Sequence, residues 1–187
     1  MRWRWTCCPA SSRSTNQRTD AYGGTLENRA RLTLEVLDAV IAEIGADRVG
    51  VRLSPHFVAH DIADAEAEAS TLYLARAFSE RGLAYLHIAE PDWAGGAELT
   101  DVFRRQIRAA FNGALIFCGG YTAADAEALI EQGVGDAVAF GPPYIANPDL
   151  VERFRHGADL NTPDRATFYG GGAHGYTDYP TLDLQAA

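Results

Sequence analysis

With 187 residues, 47% of them hydrophobic and 22% charged, the chain is long enough for one domain with a sizeable core. A formal charge of −9 argues against nonspecific nucleic-acid binding, which depends on clustered Lys and Arg. No apolar run is long enough to span a bilayer and the start lacks a signal pattern, so no membrane partner is expected and the cytoplasm is the expected location. The three cysteines, Cys7, Cys8 and Cys118, have neither disulfide-framework nor metal-ligand spacing, so no metal is expected. Cys118 lies in an apolar run and reads as a buried small hydrophobe.

Residues 1–13 mix Trp, Arg and Cys without periodicity and read as a disordered segment outside the folded domain, which then covers 14–187. Leu26, Ala30, Leu34, Leu37, Ile41 and Ile44 recur at helical spacing, with Thr25 to cap the start and Gly45 to end it. Residues 48–54 read as a buried strand, 64–81 as a helix closing at Gly82, and 84–89 as a second strand. A helix over 99–111 and a strand over 114–118 follow. Thr122 and Asp125 suit the start of a helix that ends near Gly133. The last strand is 136–140, and Asn147-Pro148 reads as an N-cap and first helical position for a helix over 149–155.

Apolar strands alternating with helices imply an α/β fold with a parallel sheet covered by helices. The spacing gives four strand–helix units with one extra helix in front. Spacing alone does not separate half of a (β/α)8 barrel from a small doubly wound sheet.

In a parallel barrel, ligands sit at the carboxyl ends of the strands. Arg52 falls inside an otherwise apolar strand, where a guanidinium needs an acceptor. Gly119 and Gly120 follow one strand and precede a capped helix, an arrangement that leaves backbone N–H groups free for a phosphate. Gly141 repeats this after the next strand. His87, inside a strand, reads as a hydrogen-bonded core residue, and His174 as a loop residue; neither is assigned to catalysis.

The stretch Thr15-Asn-Gln-Arg-Thr-Asp-Ala-Tyr-Gly-Gly-Thr-Leu-Glu-Asn-Arg-Ala-Arg31, with Arg52, Gly119-Gly120 and the tail from Phe168 to Pro180, resembles the second half of an Old Yellow Enzyme family ene-reductase. The N-ethylmaleimide reductase type is the nearest comparison. The resemblance runs from about Ser14 to Leu182 and implies the C-terminal half of a (β/α)8 TIM barrel, an incomplete barrel with FMN as cofactor. It implies reduction of the C=C bond of activated alkenes (enones, maleimides, nitroalkenes) with NAD(P)H as reductant. By the same resemblance, Arg52 faces the N1/O2 edge of the flavin, and Gly119, Gly120 and Gly141 hold its phosphate. Phe168 and Tyr169 match an aromatic pair near the flavin, with plain core packing an equal alternative. Asn16, Arg18, Asp20 and Tyr22 form a structural loop, and Tyr176 and Tyr179 dock the tail.

The sequence departs from that family at Pro142, where a phosphate-contacting Arg follows the glycine; proline supplies neither a side-chain charge nor an N–H. The family's substrate-holding His and Asn and its proton-donating Tyr have no counterpart here, so no residue is assigned a catalytic role. Four strands leave unpaired edges, which implies self-association or a complementary half-barrel as partner. A non-catalytic truncated remnant is the alternative.

Overall fold

In the computed structural model, residues 3–5, 15–58, 64–91, 96–170 and 172–182 are described. Cys7, Cys8 and the rest of the first 13 residues apart from 3–5 lie outside that set, as does Gly171 in the tail. The chain divides into two units, Met1–Ala139 and Phe140–Ala187.

The first unit holds the whole sheet. Helix α1, Leu26–Ile44, starts where the Thr25 side chain accepts from the Asn28 N–H and stops at Gly45, whose φ of 85° a side chain would strain. Its buried positions Ala30, Thr33 and Leu37 fall three and four residues apart, as the periodicity requires. Strand β2 is Val49–Leu53, helix α2 Ala67–Glu80, strand β3 Tyr85–Ala89 and helix α3 Asp101–Ala110. Helix α3 begins two residues later than its expected start because the Thr100 hydroxyl caps it, accepting from the Phe103 N–H at 3.1 Å. Strand β4 is Ala114–Cys118, as expected. Helix α4, Ala123–Glu131, opens with a reciprocal capping box: Thr122 Oγ1 accepts from the Asp125 N–H, and the Asp125 carboxylate accepts from the Thr122 N–H. Strand β5 is Ala137–Ala139.

A further strand, β1, spans Trp3–Trp5 and pairs in parallel with β2, with Trp3 opposite Val49 and Trp5 opposite Val51. No element is expected there from the sequence; three residues are too few to show a period. The sheet therefore has five strands in the order β1-β2-β3-β4-β5, every pair parallel. A doubly wound sheet reverses its strand order at a switch point, whereas a barrel keeps chain order around its wall. The sequential order resolves the alternative that spacing leaves open, in favour of barrel wall.

The two faces of this sheet differ. Val49, Val51 and Leu53, Leu86 and Ile88, and Leu115 and Phe117 are buried against Leu37, Leu74, Phe78, Phe103, Ile107 and Leu129 of the helices. The alternate positions form the opposite face. Arg52, His87, Ile116 and Ala137 lie in one cross-strand row there. Tyr85 sits directly over Gly50, where an added Cβ would collide with its ring. His87 is buried, but Arg52, Tyr85, Ile116, Cys118, Ala137 and Ala139 are only partly so. Cys118 is thus half-buried at a strand end rather than sealed in the core.

The second unit carries helices α5, Pro142–Ala146, and α6, Leu150–His156, followed by the tail. Helix α5 is not anticipated by the sequence reading. Asp149 rather than Asn147 occupies the N-cap position of helix α6, without a side-chain capping bond, while use is made elsewhere of the Asn147 side chain. It is fully buried, donating to the Pro143 carbonyl at 2.8 Å and accepting from the Asn161 N–H at 2.7 Å. Arg153 fastens the returning tail: it pairs with Asp149 and donates to the Asp159 and Pro180 carbonyls. Asn161 also donates to Pro180.

Candidate functional site

Arg52 is the fourth residue of β2, near its carboxyl end, on the half-exposed face of the sheet. The strand's apolar residues Val49, Val51 and Leu53 point to the helices, so alternation sends Arg52 the other way. Among the described residues it has no hydrogen bond or ion pair. Several other arginines of the first unit are paired: Arg29 donates to Gly24 and Glu66, Arg81 to Asp38, and Arg108 to Asp136. A partly buried guanidinium without an acceptor is suited to an anionic or electron-rich ligand.

The turn from β4 to α4 lies at the same end of the same sheet. It contains Gly119, Gly120, Tyr121 and Thr122, and its first three N–H groups have no hydrogen-bond partner among the described residues. The donors of the first helical turn are different: the capping box already uses Asp125 and Thr122. An anion arriving here would therefore take the turn's donors rather than those of the helix. The glycines have distinct reasons for being glycine. A Cβ on Gly119 would stand 3.1 Å from the Glu90 Cβ, tighter than side chains accept, whereas a Cβ on Gly120 would meet nothing within 4 Å. Nor does Gly120 have a positive φ. Among the described residues nothing demands glycine at 120, which leaves the approach of an outside group as a physical reason for it.

Glu90 is a residue the sequence reading passes over. It follows β3 directly, and its N–H donates to the Cys118 carbonyl at 2.7 Å, extending the β3–β4 ladder by one step. Its side chain is only 5% exposed. Arg104 of α3 grips the carboxylate through Nε at 3.0 Å and a terminal nitrogen at 2.5 Å, and the Tyr121 hydroxyl donates to it as well. Arg104 also pairs with Asp101 at 2.8 Å and lies against the Tyr121 ring. Burial, with the hydrogen bond to Glu90, pushes the Tyr121 phenol well above its ordinary value, so it stays a donor. The bond to Glu90 likewise raises Arg104, keeping it charged. The signal for this cluster in the sequence is one glutamate immediately after a buried apolar strand.

In the second unit, Gly141 is the N-cap of α5 and Pro142 occupies the first helical turn, where a missing N–H costs the helix nothing. A Cβ on Gly141 would also meet nothing within 4 Å. Phe168 is buried, with 9% exposure, while Tyr169 is 79% exposed, and the two rings meet edge to face at 6.5 Å. The pair thus divides into one packing residue and one surface residue. The Tyr176 hydroxyl donates to the Phe168 carbonyl, and Tyr179 accepts from the Asp164 N–H, so both tyrosines hold tail backbone. His174 pairs with Asp178 at 2.7 Å on the surface; that bond raises the imidazole and lowers the carboxyl.

The early loop closes on itself: Asn16 donates to the Tyr22 carbonyl, Arg18 pairs with Asp20, and Asp20 accepts from the Tyr22 N–H. Among the described residues, no group of three or more His, Cys, Asp or Glu could hold a metal ion, and no helix is long and apolar enough to cross a membrane.

The sequence matches the NADH:flavin oxidoreductase / NADH oxidase family over residues 11–161. It is 42% identical over 174 residues to 12-oxophytodienoate reductase 2 of Arabidopsis thaliana, covering 91% of this chain and 46% of that protein. It is 44% identical over 169 residues to a protein of Leishmania infantum described as a probable flavin mononucleotide-dependent alkene reductase, covering 90% and 46%. Among solved structures it is similar to morphinone reductase, with a TM-score of 0.91 and 50% identity over 98% of this chain and 51% of that one. The chain spans about half the length of these relatives. With the parallel sheet in barrel order, these likenesses place the fold as part of a TIM barrel, and the chain belongs to the NADH:flavin oxidoreductase / NADH oxidase family, among the Old Yellow Enzyme homologues.

Proposed function

We propose that this chain is an FMN-binding half of an NAD(P)H-dependent ene-reductase acting on activated alkenes such as enones, maleimides and nitroalkenes. The observation that carries the reading is Arg52: a partly buried cation without an acceptor among the described residues, at the carboxyl end of a barrel-wall strand. The residues present fit a flavin nucleotide in two respects. Arg52 offers its guanidinium to the N1/O2 edge of the ring, and Gly119, Gly120 and Tyr121 offer backbone N–H groups to the phosphate. In the second unit, Gly141 is a further open turn and Tyr169 an exposed aromatic ring, while Phe168 is a packing residue.

When bound, FMN supplies hydride transfer between NAD(P)H and the β-carbon of the alkene. The protein's part is positional and electrostatic. Arg52 sets a fixed positive charge beside the ring, which favours its electron-rich form. The β4–α4 turn anchors the ligand by its phosphate. Pro142 works against tight binding: lacking the charge-assisted contact an Arg would make there, the site loses roughly 1.5–3 kcal/mol, or tenfold or more in affinity.

No residue of this sequence is assigned to polarising the alkene or to delivering its proton. We assign those tasks to a complementary half-barrel, whether from another chain or through self-association. Two features support this: among the described residues β1 and β5 each have a single neighbour, and the Arg52 face is incompletely covered. On the second reading the chain is a non-catalytic remnant, which the absence of an assigned acid favours. Quenching of flavin fluorescence on titration with the purified chain, followed with its elution volume, tests the first claim. Quenching by a compact species supports it; no quenching, or elution only as an aggregate, leaves the remnant reading standing. NAD(P)H consumption with N-ethylmaleimide, low for this chain alone and restored by a complementary half, tests the second.

A further inference from the structure

The three free donors of the β4–α4 turn belong to a four-residue loop that would be mobile if held only by its ends. One end is fixed by the sheet, where Cys118 pairs with Ala139 and its carbonyl accepts from Glu90. The other is fixed by the Thr122–Asp125 capping box. The middle is fixed by a side chain: the Tyr121 hydroxyl donates to the buried Glu90 carboxylate, which Arg104 holds in a two-point grip. A side chain at position 119 would crowd the Glu90 Cβ, so the loop's first residue passes close to the same glutamate.

We propose that Glu90 and Tyr121 are positioning residues that hold the N–H groups of Gly119, Gly120 and Tyr121 in register for the phosphate of the nucleotide. This rests on the FMN reading above. A donor array fixed before binding avoids the ordering cost that a loose loop incurs when the ligand arrives. Charge is consistent with the same role. A bare carboxylate beside a phosphate site would repel the ligand, but the Glu90 charge is neutralised by Arg104. The phenol gives the carboxylate a third donor while adding no charge.

Titrating the full chain with FMN and with riboflavin, which lacks the phosphate, tests this. The parent chain is expected to prefer FMN. Tyr121→Phe removes a single hydroxyl and leaves the Glu90–Arg104 pair intact, so folding is expected to survive. That variant should lose about three- to tenfold of the preference for FMN while its riboflavin affinity stays at the parent value. A preference equal to the parent's overturns the proposal, and so does an equal weakening of both ligands, which a merely structural role would give. A parent chain that binds FMN no better than riboflavin overturns the phosphate site itself, and the positioning role with it.

Discussion

The face of the sheet formed by Val51, Leu86, Leu115 and Phe117 is sealed under α1 to α4, whereas the face one residue along, with Arg52, Tyr85, Ile116 and Cys118, stays partly open. The same backbone therefore carries two surfaces with different duties. The sealed one is uniformly apolar and makes the fold. The open one carries a cation and a phenol, groups that a sealed core would tolerate only with partners. The difference teaches where to look: in a parallel barrel wall, stability is read from one set of alternate residues and ligand chemistry from the other, close to the carboxyl ends.

Substitutions in β4 and in the turn that follows it test this separation most sharply. Phe117→Ala, on the sealed face at 0% exposure, should lower stability by about 3–5 kcal/mol in denaturant unfolding. A loss under about 1 kcal/mol would mean the helix layer is loosely packed. Gly120→Val, at the turn's open glycine, should leave the unfolding midpoint nearly unchanged yet reduce FMN affinity by roughly tenfold or more, because the added methyls stand where the ligand approaches. Unchanged affinity would remove that turn from the site.

Smaller effects refine the picture. Thr122→Ala deletes one half of the α4 capping box and should cost about 1 kcal/mol, seen as a lower midpoint without a change in m. Ile116→Thr, on the half-exposed face beside Phe117, should cost about 1 kcal/mol or less. A loss as large as that of Phe117→Ala would show that both faces are equally buried in solution, and the comparison would fail.

Much of the fold is legible in the sequence because its signals are local. Thr25 and Gly45 bracket α1, the apolar run 114–118 is β4, and Thr122 with Asp125 announces α4. What is not legible is long-range. Asn147 next to Pro148 has the chemistry of a cap, but its side chain is drawn into the return of the tail by Asn161, and Asp149 takes the cap position instead. Glu90 acquires its meaning from Arg104 and Tyr121, 14 and 31 residues away, which only the β3–β4 pairing brings to one carboxylate. The strand at Trp3–Trp5 has no local period to announce it. Arg52 was legible because a single charged residue in an apolar strand violates the pattern around it, and such violations concentrate at sites of function.

The central claim is that Arg52 meets a flavin ring rather than a protein carboxylate. Isothermal titration of FMN into the full chain and into Arg52→Met tests it most directly, with unfolding curves for both. The account predicts that the variant binds FMN about tenfold or more weakly and unfolds within about 1 kcal/mol of the parent, since no hydrogen bond or ion pair to a described residue is lost. Equal affinity in the two proteins, or a variant destabilised by several kcal/mol, would contradict it.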